Sequence, residues 1–141
     1  MIQAQSPGPV SANEKVARFV TVGKWIRADQ TIRQDAFVPP KDLELSVTRH
    51  LKLSEDELWN IGQKVAEEVG QKRSATLHGR ADITASQVFQ QNLKAEAAPR
   101  PANPNHAHIT GWPSGKSEQK NIAQELAVAA GKAVLAPKRP V

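Results

Sequence analysis

Cysteine is absent from the 141-residue chain, which removes disulfides, thiolate metal sites and thiol nucleophiles together. Tyrosine is absent as well, and three Trp with three Phe make up only 4% aromatic residues. That is too few for a platform on which single-stranded bases stack. No stretch approaches the ~20 apolar residues of a membrane span, so no membrane partner is expected. Met1 to Val10 has neither a basic residue nor an apolar run of ~7–15, the parts of a secretory signal, and a cytoplasmic location follows as the expectation. Hydrophobic residues reach 39%, below the ~45–50% apolar share of ordinary globular chains, so the core is expected to be modest. The length suits one domain at the usual ~100–200 residues.

Positive charge is in surplus. Nineteen Lys and Arg face fourteen Asp and Glu, for a net charge of +5. The surplus is C-terminal: residues 1–40 carry +2, residues 41–70 carry −3, and residues 71–141 carry +6. Such a balance favours a polyanionic partner, nucleic acid or a phosphate-bearing ligand, although no solid basic run is present.

Residues 1–13, with two Pro, a Gly and almost no large apolar side chain, read as a flexible arm. A single domain is expected over 14–135, followed by a basic tail at 136–141. Val16 to Ile26 is rich in β-branched and aromatic residues and reads as a strand, with Gly23 as a bulge. Leu43, Leu45 and Val47 alternate with polar residues, the period of a half-buried strand. Ser54 with Glu57 three residues on forms a capping box, and Leu53 with Leu58 a hydrophobic staple. The stripe Leu58, Ile61, Val65 and Val69 then predicts a helix stopped at Gly70. Thr84 and Gln87 repeat the box over a short helix ending near Asn92.

Between those helices residues 75–82 alternate as a strand, and 93–98 read as a short strand before the proline tract at 99–104. His106 to Trp112 reads as a strand and residues 117–134 as an Ala-rich amphipathic helix. The whole predicts an α+β fold: a small mixed or antiparallel sheet with about three helices packed mainly on one face.

The chemistry-bearing residues cluster by parity. His106 and His108 share one side of their strand, while His78 and Arg80 share one side of another. Brought into register, three imidazoles and a guanidinium would converge on an anion, with His106 and either His78 or His108 as acid and base toward a phosphodiester. Lys116 and Lys120, at the start of the last helix, are further anion-binding candidates. His-x-His alone is a weak metal signature, and neither a metal nor another cofactor is expected. The segment from His106 resembles the opening of a histidine-triad motif, but Thr110 stands where the third His would be. Gly111 to Lys116 lacks the spacing of a phosphate loop. Trp59, beside the apolar stripe of its helix, is a candidate docking contact.

At Leu45–Arg49, Leu77–Asp82 and His106–Pro113, with Lys116 following, the chain resembles a group of uncharacterised small bacterial proteins. The resemblance spans roughly residues 37–130 and implies a shared domain without implying a reaction. It points to Arg49, His78, Arg80 and His106 as a shared site, with Arg49 and Arg80 as its anion-binding candidates. The leading expectation is therefore a binding module for an anionic partner. The alternatives are a metal-independent phosphodiesterase or ribonuclease, and a protein-interaction subunit of a larger assembly.

Overall fold

Both capping boxes form, and they set where the helices begin. In the computed structural model, which describes residues 8–71 and 75–137, Ser54 Oγ accepts the Glu57 N–H at 3.1 Å while Glu57 Oε1 accepts the Ser54 N–H at 3.0 Å. Helix α1 follows over Glu55–Gly70. Thr84 and Gln87 exchange the same pair of bonds and open α2, Ala85–Phe89. Each box satisfies donors that a helix start otherwise leaves unpaired. The ends are less regular. α1 stops after Gly70 on Gln71 in ordinary right-handed geometry, without a left-handed glycine. α3, Lys116–Ala130, stops four residues earlier than its apolar spacing predicts, because Gly131 takes φ +66° and turns the chain out of the helix.

The strands are β1 (Lys15–Val20), β2 (Leu45–Arg49), β3 (Gly79–Thr84), β4 (Lys94–Ala97), β5 (His106–Thr110) and β6 (Val134–Leu135). They form one antiparallel sheet in the order β4-β5-β2-β1-β3-β6. The first strand is shorter than expected. Alternation ends after Val20, and Gly23–Trp25 winds into a 3-10 turn in place of a bulged strand. Trp25 and Ile26 then cap the core from the side. β6 falls where the sequence predicts the end of a helix.

Parity along β1 divides the core in two. Val16 and Val20 pack with Leu45, Ile83 and Ile109 against Leu126 of α3 and Val88 of α2. Ala17 and Phe19, pointing the other way, pack with Leu77 against Leu58 and Ala66 of α1. Two helices thus cover one face, and α1 covers part of the other. Among the described residues no helix is long and apolar enough to cross a membrane.

Within the stretch 1–13 expected as a flexible arm, residues 8, 9 and 12 hydrogen-bond to the domain. The Gly8 and Pro9 carbonyls accept from the Arg49 guanidinium at 2.7 and 3.2 Å, and the Ala12 carbonyl accepts the Ser86 N–H. Residues 1–7 and most of the expected basic tail lie outside the described residues.

Gly62 is what lets α1 lie close to the sheet. A Cβ there would stand 2.7 Å from Phe19 Cε1 and 3.1 Å from Leu77 Cδ2. Alanine gains about 1 kcal/mol of helix propensity over glycine, whereas overpacking costs about 1–3 kcal/mol. The clash involves a ring that is itself buried, so the second effect wins. Gly62→Ala is expected to destabilise the protein by ~1 kcal/mol in urea unfolding, opposite to the sign that propensity alone gives.

Candidate anion-binding cavity

On the α1 face the strand register sets polar side chains side by side. His106 lies opposite Thr48, and His108 lies between Ser46 and Glu96. Asp82 lies opposite Ala17 and Arg80 opposite Phe19. His106, His108 and Arg80 therefore share a face, as their parity predicts, but not a site. β2 and β1 stand between β5 and β3, so the two groups are three strand spacings apart, about 14 Å. His78, just before β3, is exposed with its ring against Gly23. The expected convergence of three imidazoles and a guanidinium does not form.

Two of the expected anion-binding arginines are already neutralised. Arg80 sits 2.9 Å from a Glu55 oxygen and 3.1 Å from Asp82, with its guanidinium 4.7 Å from the centre of the Trp59 ring. Trp59 is thus a lid over an ion pair. Asp82 is also 2.9 Å from His50 Nε2; burial opposes its ionisation, yet His50 and Arg80 hold its carboxyl below the usual range. Arg49 is 1% exposed and forked onto Glu14, both bonds at 2.8 Å. That bond holds the Glu14 carboxyl below its ordinary value. Lys116 and Lys120 are exposed on α3, which packs on the opposite face.

A different group of residues does converge. β1 pairs with β3 along its whole length, but with β2 only at Val16 opposite Arg49 and Ala17 opposite Thr48. Beyond that point the strands part. Arg18 fills the gap: its Nε–H donates to the Ala36 carbonyl at 2.8 Å and its Nη1–H to the Ser46 carbonyl at 3.2 Å. No carboxylate pairs with it among the described residues, and Nη2 has no protein acceptor there. Burial pulls its pKa down to about 10, which leaves it a cation at neutral pH.

Over the gap lies a cavity of about 200 Å³ between the sheet and α1. Arg18, Phe19, Thr48 and His106 line it from the sheet, Val65 and Glu68 from α1, and Arg100 from the proline loop. That loop has a set course, because Asn103 Nδ2 donates to Thr48 Oγ1 at 3.0 Å and Asn105 Nδ2 to the Arg49 carbonyl at 2.9 Å. A recess of about 30 Å³ adjoins the cavity, sharing Val65, Glu68, Arg100 and His106 and adding Lys64.

His106 is the most constrained group in this lining. It is 5% exposed, and its Nδ1 lies 2.9 Å from the Ala98 carbonyl. A carbonyl can only accept, so Nδ1 carries the proton and Nε2 is left as a lone pair. Nε2 is buried and has no partner among the described residues. Burial brings the pKa down to about 4, outweighing the Ala98 bond, and the positive charge of Arg100 pushes the same way. His108 touches the ring edge-on, with centroids 4.7 Å apart. Among the described residues no three His, Asp or Glu side chains gather to hold a metal ion.

Arg18, Arg100 and Glu68 escape the sequence-based list, as does His50 on Asp82. For Arg18 a signal exists: it takes the inward parity between Val16 and Val20, where an apolar residue belongs. No protein-family model matches the chain, and no curated protein or solved structure matches it.

The depressed pKa of His106 gives stability a direction with pH. The unfolded chain protonates this imidazole near 6.5 and the folded one near 4. Its contribution is therefore whole above pH ~6.5 and is lost as pH falls through that interval. Between pH 7 and pH 5 the loss is about 2 kcal/mol. Chemical denaturation of His106→Asn, which has no such titration, is expected to show a pH slope flatter by that amount. Equal slopes in the two proteins would contradict a neutral, buried His106.

Proposed function

We propose that this protein is a binding module for a small phosphate-bearing ligand, held in the cavity between α1 and the parted strands β1 and β2. The observation that carries this reading is Arg18. A partly buried guanidinium without a carboxylate is unfavourable unless something offsets its desolvation. Here two backbone carbonyls offset part of it, and the rest of the charge faces a cavity. Arg100 adds a second guanidinium, and Lys64 an ammonium in the recess, against the single carboxylate of Glu68. Forked N–H donors suit phosphoryl oxygens. The volume supports a compact ligand, since a cavity of about 150 Å³ accommodates benzene and drug-sized molecules need ~300 Å³ or more.

Nucleic acid is supported less well. Arg49 and Arg80 are neutralised, and Trp112 is buried with its indole N–H on the Ile109 carbonyl at 3.0 Å. Phosphodiester cleavage by paired imidazoles is also less well supported: His106 and His108 touch each other on one strand, and His78 is remote. A protein-interaction role has little to stand on at Trp59, which packs over Arg80.

The reading is tested by amide NMR titration with n-propyl phosphate. Saturable shifts are expected at Phe19, Thr48 and Val65. A charge-assisted hydrogen bond contributes about 1.5–3 kcal/mol, so Arg18→Met is expected to weaken binding ~10-fold or more, and Arg100→Gln, on an exposed loop, several-fold. Wild-type protein without saturable cavity shifts at ~10 mM ligand, weaker than about −3 kcal/mol of binding, would overturn the reading. So would RNA binding whose shifts lie wholly outside the cavity.

A further inference from the structure

We infer that the organic part of the ligand is a short alkyl chain, which runs from the phosphoryl group along the α1 wall of the cavity. The inference rests on the cavity reading above and names the class of phosphate ester that the cavity takes.

The apolar stripe of α1 runs further than the core it covers. Leu58, Ile61 and Val65 pack into the cluster with Ala17 and Phe19, as an amphipathic helix lays its stripe on a sheet. Val69 continues the stripe by one turn, is half-buried, and belongs to neither core cluster. The cause lies in the sheet. Beyond Ala17 and Thr48 the strands β1 and β2 part, so the last turns of α1 cover the cavity in place of a closed strand pair. Val65 and Val69, four residues apart on one helix face, both line it.

Polarity divides the cavity between its walls. Arg18 and Ser46 line it from the sheet, where their donors suit phosphoryl oxygens. Phe19, next to Arg18 in β1, adds apolar surface on the same side. The α1 wall is Val65 and Val69, and its polar member, Glu68, is exposed, so water already serves that carboxylate. A hydroxyl laid against the two valines would leave water without gaining a partner, whereas a methylene gains by leaving water. Size agrees. A cavity of about 150 Å³ holds the six carbons of benzene, so about 200 Å³ has room for the five heavy atoms of a phosphate ester group and about three carbons.

Inorganic phosphate, ethyl phosphate, n-propyl phosphate and glycerol 3-phosphate, titrated into the full chain and followed by amide NMR, separate the two parts of the ligand. Burying one methylene favours binding about threefold, so affinity is expected to rise by about that factor from ethyl to propyl phosphate. Glycerol 3-phosphate, with the same three carbons and two hydroxyls, is expected to bind at least about tenfold more weakly than propyl phosphate. Nuclear Overhauser contacts from the propyl methyl group to the Val65 and Val69 methyls are expected in the wild-type complex, a readout that needs no variant. Val69→Thr keeps the shape of the side chain and is expected to weaken propyl phosphate several-fold while leaving inorganic phosphate binding unchanged. Cavity binding of propyl phosphate no tighter than that of inorganic phosphate, or no tighter than that of glycerol 3-phosphate, would overturn this inference and leave the cavity reading intact. No saturable cavity shifts with any of the four probes would overturn the cavity reading itself.

Discussion

The bond between the His106 ring and the Ala98 carbonyl fixes the state of the most constrained side chain in the cavity lining. It joins β5 to the far end of β4, closes the proline loop that carries Arg100, and assigns the one proton of a neutral imidazole. Without it Nε2 could be donor or acceptor. With it Nε2 is left as a lone pair only, buried in the cavity wall. Burial and tautomer act in the same sense: the group kept neutral by desolvation is also the one whose lone pair has nowhere else to go.

The fate of the other charges explains why the site is small. Arg49 anchors the N-terminal stretch through Glu14, Gly8 and Pro9, and Arg80 anchors the start of α1 through Glu55 and Trp59. Both are structural ties between segments far apart in the chain. Removing one partner of such a pair would strand its charge in the interior, so these arginines hold the fold while leaving little field for an outside anion. Arg18 differs because its partners are neutral carbonyls. Its position depends on β1 leaving β2 early, and the same parting opens the floor of the cavity.

Much of the fold is legible in the sequence where the determining interactions are local. Ser54 with Glu57 and Thr84 with Gln87 mark two helix starts within four residues each, and the alternation around Val47 marks β2. The α+β class follows from those elements. What escapes depends on distant pairings. β6 forms only because Gly79 lets Val134 and Leu135 approach; a Cβ at Gly79 would stand 2.7 Å from the Val134 carbonyl oxygen. The site shows the same divide. Parity places His106, His108 and Arg80 on one face, but strand order separates them, and strand order is not written in any single segment. His106 is recoverable from sequence, whereas Arg18 is marked only by standing at an inward position between Val16 and Val20.

The central claim is that the fold holds His106 neutral, with its proton on Nδ1 and a lone pair at Nε2. Titration of selectively ¹⁵N-labelled histidine, with His106 assigned by comparison with His106→Asn, tests it directly. The account requires a protonated Nδ1 and an unprotonated Nε2 throughout the neutral range, with protonation only near pH 4. An Nε2–H tautomer at neutral pH, or protonation near the ordinary value of 6.5, would contradict it.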